Sequence, residues 1–239
     1  MNKIEVSDLV KYYGNKEAVK NINFKIKENE IIGLLGPNGC GKTTTIGMIL
    51  GLLKPTSGEI LIDGLKIEKN RIETLQKINF ISPYIELPKK LTVKQNLIVY
   101  ARLYDVKNIN NRIDYLIEKF RLQDLLNKLS GELSSGQKNR VSLAKALIND
   151  PKVLLLDEPT ASLDPEVGDY VRTILEEYKN ENNISILLAS HNMNEVTRLC
   201  SSVLMMKEGK IIDEGKPLDL IKKHGRENLE EVFLKLSRN

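Results

Sequence analysis

The sequence predicts an α/β protein with a parallel β-sheet covered by helices on both faces, a β-rich opening segment and a helical insert. Three observations lead to this fold class. Residues 4–6 and 22–26 alternate apolar and polar side chains with period two. Over 92–127 the apolar period becomes helical. From Lys152 onward, short apolar runs alternate with helical segments, a pattern typical of a parallel sheet buried on both faces.

Composition places the chain among ordinary globular proteins and argues against nucleic-acid binding and against a membrane span. Its 239 residues are enough for one large domain, and 41% are hydrophobic. The 36 basic and 32 acidic side chains are mixed along the chain, so we expect no nucleic-acid partner. Cys40 and Cys200 lack metal-ligand spacing, which favours reduced thiols. No apolar run approaches the roughly 20 residues of a membrane span, so we expect that the chain itself does not cross a membrane.

A phosphate-binding motif, Gly36–Thr43, fits the pattern G-x-x-x-x-G-K-[ST] between an apolar run at 31–35 and a helix-like run at 44–53. Its glycines allow successive backbone N–H groups to curl around a phosphate. Lys42 would reach the β- and γ-phosphates, and the Thr43 hydroxyl would bind Mg²⁺. A glycine-rich turn with an exposed lysine is the alternative, but the flanking strand and helix favour a nucleoside triphosphate site. The candidate nucleotide-binding residues of this phosphate loop are Gly36, Pro37, Asn38, Gly39, Cys40, Gly41, Lys42, Thr43 and Thr44.

Two adjacent carboxylates, Asp157 and Glu158, follow the apolar run at 153–156. We expect them at the carboxyl end of a buried strand, beside the phosphate loop. Asp157 would hold Mg²⁺, and Glu158 would orient or deprotonate the water that attacks the γ-phosphate. Any buried strand can end in an acidic turn, so the metal-site interpretation depends on the pairing with Lys42 and Thr43.

Between these motifs lies the segment Leu133, Ser134, Ser135, Gly136 and Gln137, called here the signature segment. A Ser-Ser-Gly turn that opens a helix is an ordinary N-cap or an anion site. The segment resembles the L-S-G-G-Q signature of the ATP-binding cassette (ABC) family, and it departs from that signature at Ser135. Because the change from glycine to serine is small, we expect altered fine geometry without loss of function.

The resemblance to this family assigns roles to three further residues. Residues 161–164 resemble its D-loop, which ends here at Asp164, and His191 resembles its switch histidine. Tyr13 matches the aromatic residue that stacks on adenine, with Tyr12 as the alternative. Each also has an ordinary interpretation as a packing, helix-start or polar residue. The family usually carries, before its helical subdomain, a glutamine that relays the nucleotide state to the membrane partner; Pro83 stands at that position here.

The resemblance also implies the fold and the partners. The implied fold is a P-loop NTPase with a RecA-like parallel-sheet core, an antiparallel β subdomain and an inserted helical subdomain. We expect one ABC ATP-binding domain, with a core at 1–82 and 152–226, a helical subdomain at 83–151 and a C-terminal helix at 227–239. ATP and Mg²⁺ are the implied cofactors. In this family the signature of one subunit closes over the nucleotide of another, so a homodimer or heterodimer is implied.

The implied function is ATP hydrolysis coupled to transport through a separate integral-membrane permease, with the subunit at the cytoplasmic face of the cell membrane. An apolar stripe resembles the final helix of type-2 exporter cassettes, which favours export; it consists of Leu229, Val232, Phe233 and Leu236. A soluble or scaffolding ABC ATPase without a transport role is the alternative. A phosphate-loop kinase is a third class, which the signature segment and His191 argue against.

Overall fold

The computed structural model describes residues 1–82, 85–161 and 163–238. The strands are β1 (Asn2–Tyr13), β2 (Lys16–Lys27), β3 (Ile31–Leu35), β4 (Ser57–Ile62), β5 (Leu65–Lys66), β6 (Ile78–Ile81), β7 (Val153–Asp157), β8 (Ser185–Ser190), β9 (Ser202–Lys207) and β10 (Lys210–Gly215). The helices are α1 (Lys42–Ile49), α2 (Arg71–Gln76), α3 (Val93–Leu103), α4 (Ile109–Lys119), α5 (Ser135–Ala146), α6 (Pro165–Asn182), α7 (Met193–Leu199), α8 (Pro217–His224) and α9 (Leu229–Arg238).

The central sheet has six strands in the order β10-β9-β3-β8-β7-β6. The five strands from β9 to β6 are parallel, and β10 pairs with β9 in the antiparallel sense. Strands β3, β7 and β8 are buried along their whole length, as continuous apolar runs require when both faces are covered. The predicted α/β fold class with a parallel sheet is confirmed.

A second, antiparallel sheet has the order β2-β1-β4-β5 and is formed by the β-rich opening segment. Alternate residues of β2 are buried at Ile22, Phe24 and Ile26, so one face of the strand packs on the core while the other meets solvent. The period-two pattern in the sequence therefore predicted this sheet correctly.

Two apolar cores lie on the two faces of the six-stranded sheet. Successive side chains of a strand point to opposite faces. Accordingly, Leu154 and Leu156 of β7 join the core that includes α3 to α6. Val153 and Leu155 join the core that includes α1 and the antiparallel sheet. This arrangement holds β7 rigidly between two packed layers, and so fixes the position of the acidic pair that follows it.

Two predicted helices differ from the observed ones. Helix α1 begins at Lys42 and ends at Ile49, rather than spanning 44–53. It ends early because Gly51 takes a left-handed conformation, with φ of 64°. The helical apolar period predicted over 92–127 fails in α3 at Leu103, which is 73% exposed. The buried face instead runs through positions 93, 97 and 101, which are spaced by four residues.

The predicted helical insert consists of α3, α4, two short 3-10 turns at 123–125 and 130–132, and α5. At the other end of the chain, α9 buries Leu229 and Val232 of its apolar stripe. Within the three described ranges, no helix combines the length and the apolar character that a bilayer crossing requires.

Candidate active site

The order of the strands brings the predicted site residues to one edge of the sheet. Strand β8 lies between β3 and β7 and is parallel to both. Leu35, the last residue of β3, pairs with Ser190, and Asp157, the last residue of β7, pairs with Ala189. The phosphate loop, the His191 turn and the acidic pair therefore leave neighbouring strands side by side. Ligand sites of open parallel sheets lie at this carboxyl edge.

The phosphate loop is closely packed against the strands behind it. Gly41 has φ of 112°, and a Cβ there would lie 2.7 Å from the carbonyl oxygen of Ala18. A Cβ at Gly36 would collide with the carbonyl oxygen of Met206. Both positions therefore require glycine. Lys42, only 6% exposed, extends back over the loop, and its Nζ donates to the carbonyl oxygen of Gly36 at 2.7 Å.

Thr43 and Asp157 form an oxygen-rich pair beside Lys42. The Thr43 hydroxyl donates to Oδ2 of Asp157 at 3.4 Å, and Asp157 is only 4% exposed. Burial and the neighbouring Glu158 raise the pKa of the Asp157 carboxyl, and the Thr43 hydrogen bond and Lys42 oppose that rise. A hydroxyl and a carboxylate are suitable ligands for Mg²⁺, and a bound cation would favour the charged carboxylate. The residues present thus fit the implied metal.

Glu158 and His191 are in direct contact. The Nδ1 atom of His191 lies 2.7 Å from Oε1 of Glu158. An ionised Glu158 carboxylate can only accept a hydrogen bond, so Nδ1 of His191 carries the hydrogen and donates the bond. Glu158 has φ of 52°, whereas most other described non-glycine residues with positive φ are Asp or Asn. A left-handed glutamate at the end of a buried strand is strained, a state often found at functional sites.

The phosphate loop opens into a cleft of about 310 Å³. Tyr13 lies in its wall, and Lys11 places its Nζ 5.2 Å from the centroid of the Tyr13 ring. Tyr12 is not part of this wall. Lys16 does line the cleft. The sequence did not indicate this, because an exposed lysine on a strand has no distinguishing pattern. The lining residues are Tyr13, Lys16, Ala18, Asn38, Gly39, Gly41, Lys42, Thr43, Thr44, Asp157 and Glu158.

Three residues predicted to bind nucleotide do not line this cleft. Gly36 and Pro37 instead offer their carbonyl oxygens to Lys42 Nζ, at 2.7 and 3.2 Å. The Cys40 side chain is 3% exposed and lies close to Gly36. Burial raises the pKa of its thiol, which disfavours the reactive thiolate. Gly36, Pro37 and Cys40 therefore help to fix the conformation of the loop without lining the cleft.

The signature segment begins α5 and lies apart from the cleft. Ser134 is the N-cap, and its hydroxyl accepts from the backbone N–H of Gln137 while the Gln137 side chain accepts from the N–H of Ser134. Ser135, the departure from the resembled signature, is exposed, so its hydroxymethyl group needs no space in the core. No residue of the signature segment lines the cleft of its own phosphate loop.

The remaining predicted positions lie around these elements. Asp164 is exposed and precedes α6, whose first residue is Pro165. Pro83, which replaces the expected glutamine, lies outside the described residues, as do Tyr84 and Ser162. The sequence did not indicate Asn139, whose Nδ2 donates to the Pro159 carbonyl at 2.7 Å. This bond ties α5 to the turn after Glu158.

Comparisons with known proteins point to one family. The family model described as ABC transporter matches residues 19–161. The bacitracin transport ATP-binding protein BcrA of Bacillus licheniformis is 40% identical over 230 residues, covering 95% of this chain and 74% of that protein. The Nod factor export ATP-binding protein I of Rhizobium etli is 37% identical, covering 92% and 70%. A dimeric ATP-binding cassette in a post-hydrolysis state, bound to ADP and phosphate, is similar with a TM-score of 0.80 at 27% identity, covering 89% of this chain and 98% of its own.

Proposed function

This chain belongs to the ABC transporter family, and we propose on that basis how its site hydrolyses ATP and drives a separate membrane permease. It is an ATP-binding and ATP-hydrolysing subunit of a transporter. The observation that carries the mechanism is the contact between Glu158 and His191, 2.7 Å apart beside the phosphate loop. This contact joins Glu158, the candidate general base, to His191, the candidate group that detects the γ-phosphate.

The proposed chemistry assigns one task to each group in the cleft. Tyr13 stacks on the adenine, and the loop N–H groups and Lys42 hold the β- and γ-phosphates. Thr43 and Asp157 would hold Mg²⁺, which would neutralise charge on the phosphates. Glu158 orients the attacking water and accepts its proton, since phosphoryl transfer mainly requires positioning and charge stabilisation.

His191 completes this assignment. Its Nδ1–H holds Oε1 of Glu158, which leaves Oε2 of that carboxylate free to face the water. Its other ring nitrogen, Nε2, is left free of this contact and would bind the γ-phosphate when protonated. The histidine side chain is 66% exposed, so it can follow the nucleotide as the cleft closes.

We assign the signature segment to the nucleotide of a second copy or a related subunit. The first N–H groups of α5 have no intrahelical partner, and an anion at a helix N-terminus is stabilised by them. Ser134 and Ser135 are exposed there and do not line their own cleft. Asp164, also exposed, would contact the partner beside them. The similar cassette bound to ADP and phosphate is itself a dimer.

The proposed organisation is a single ABC ATP-binding domain, with a core at 1–82 and 152–226, a helical subdomain at 83–151 and a C-terminal helix at 227–239. We assign the direction of transport as export, because one relative is named for Nod factor export. The chain would act at the cytoplasmic face of the cell membrane, docked on its permease through the helical subdomain. The transported compound is not assigned.

The two-copy site is tested by the mass of a trapped variant. With Mg²⁺ and ATP, Glu158→Gln is expected to elute at twice the 27.1 kDa of one chain in light-scattering chromatography, and as one chain without ATP. Adding Ser135→Asp is expected to abolish the dimer, because it puts a carboxylate against the partner's γ-phosphate. Aspartate suits the first turn of a helix, so α5 itself is not weakened.

Ser135→Asn is the matched control, since it has the size of aspartate without the charge. It is expected to form the dimer, and both Ser135 variants are expected to bind ATP as well as Glu158→Gln alone. A full dimer from the Ser135→Asp variant would contradict the assignment of the signature segment.

A further inference from the structure

Glu195, in the first turn of α7, is a buried carboxylate that the proposed chemistry does not use. It is 1% exposed. Its Oε1 accepts from the Thr160 hydroxyl at 2.8 Å, and its Oε2 accepts from the Ser190 hydroxyl at 2.7 Å. Burial raises the pKa of this carboxyl, and the two hydroxyls act against that rise. A carboxylate without solvent is costly unless hydrogen bonds satisfy it, and here both oxygens have a partner.

The position of Glu195 in α7 is typical of a helix-capping residue, but its side chain instead accepts from the hydroxyls of Thr160 and Ser190. It is the third helical residue after the N-cap Asn192, so the local pattern predicts a capping box. In α3 and α5, the side chain at this position does accept from the N-cap N–H. In α7, the Asn192 N–H donates instead to the Ser190 hydroxyl at 3.0 Å. Glu195 is thereby free to reach beyond its own helix.

The two hydroxyls belong to the two turns that carry the reacting pair. Ser190 directly precedes His191, and Thr160 lies two residues after Glu158. Glu195 thus links these two turns, and the contact of 2.7 Å between His191 and Glu158 links them at a second point. Glu195 itself does not line the nucleotide cleft.

We propose that Glu195 is a positioning residue for ATP hydrolysis. By holding the hydroxyls of Thr160 and Ser190, it fixes the spacing of the two turns, so that His191 Nδ1 meets Oε1 of Glu158. The inference rests on the proposed roles of Glu158 and His191. It predicts an effect on the chemical step and none on nucleotide binding.

Steady-state kinetics separate these two effects. Glu195→Ala is expected to lower kcat about 10- to 100-fold, since small displacements of reacting groups have effects of this size. The KM for ATP is expected to stay within about twofold, because Lys42, the loop N–H groups and Tyr13, to which most of the ATP binding is assigned, are left in place. Glu195→Gln is expected to restore most of the activity. An amide accepts from one hydroxyl and donates to the other, and hydroxyls rotate to suit.

A matched control is Asn79 of β6, another buried polar residue, which does not line the nucleotide cleft. It is 2% exposed, and its Nδ2 donates to Asn149 at 2.9 Å. Asn79→Ala is expected to lower the thermal midpoint without lowering kcat.

If Glu195→Ala does not fold, Thr160→Val removes one of the two hydrogen bonds at almost constant shape. The proposal is overturned if Thr160→Val and the alanine variant keep the wild-type kcat, or if Glu195→Gln is as slow as Glu195→Ala.

The histidine NMR signals test the positioning directly, without any turnover. The chain contains only His191 and His224, so its imidazole spectrum has two sets of signals, which His224→Gln would assign. In Glu195→Ala, the His191 signals are expected to move toward those of a free imidazole, while those of His224 stay in place. An unmoved His191 would overturn the proposal. A wild-type chain without ATPase activity would count against the proposed chemistry, and this spectrum would still report on Glu195.

Discussion

Glu158→Gln is expected to lower kcat for ATP hydrolysis by about 10²- to 10⁴-fold, the usual contribution of a positioned general base. The amide keeps the size of the side chain and accepts from His191 Nδ1, but it takes no proton from water. ATP affinity is expected to stay close to wild type, because phosphate binding is assigned to Lys42 and the loop N–H groups, which the change leaves in place. Phosphate release gives kcat, and calorimetric titration gives the Kd of Mg-ATP.

Glu118→Gln is the control for this change. Glu118 is an exposed carboxylate on α4, outside the cleft, and its removal is expected to leave kcat unchanged. Equal losses of affinity and turnover in Glu158→Gln would show that the carboxylate is structural, and unchanged turnover would remove it from the mechanism.

Lys42→Ala is expected to weaken ATP binding by about 1.5–3 kcal/mol, a factor of roughly 10 to 150, the value of a hydrogen bond to a charged group. The Lys42 ammonium is nearly buried and already directed into the loop, so little ordering is needed when phosphate binds. Turnover at low ATP should fall at least as much. Titration of Mg-ATP onto the variant measures the loss, and the thermal midpoint shows whether the loop is still folded.

Lys16 offers a matched control in the same cleft. It is exposed, and the charge of an exposed lysine contributes little because water screens it. Lys16→Ala is therefore expected to weaken binding much less than Lys42→Ala. The assignment of the phosphate loop would be wrong if Lys42→Ala bound ATP as wild type does, or if the two variants lost equal affinity.

Much of the fold was predictable because its strands carry local patterns. The period-two segments became the antiparallel sheet, and the continuous apolar run before Asp157 became a strand buried on both faces. Helix limits were less predictable. The end of α1 depends on a left-handed Gly51, and the exposure of Leu103 depends on which neighbours α3 meets.

The candidate site was predictable where neighbouring residues form one motif. Lys42, Thr43, Asp157 and Glu158 all line the cleft, as their motifs suggested. The contact between Glu158 and His191 depends on β8 lying beside β7, which spacing along the chain does not determine. Glu195 was missed for a related reason: its local pattern indicates a helix cap, and only the fold brings Thr160 within reach.

The most direct test of the transport function is to identify what the chain binds in its native cells. The tagged Glu158→Gln variant, trapped with Mg²⁺ and ATP, would be purified from detergent-solubilised membranes and analysed by mass spectrometry. We expect a polytopic membrane protein in stoichiometric amount with the tagged chain. Recovery from the soluble fraction alone, with no membrane protein, would contradict the transport role and indicate a soluble ABC ATPase.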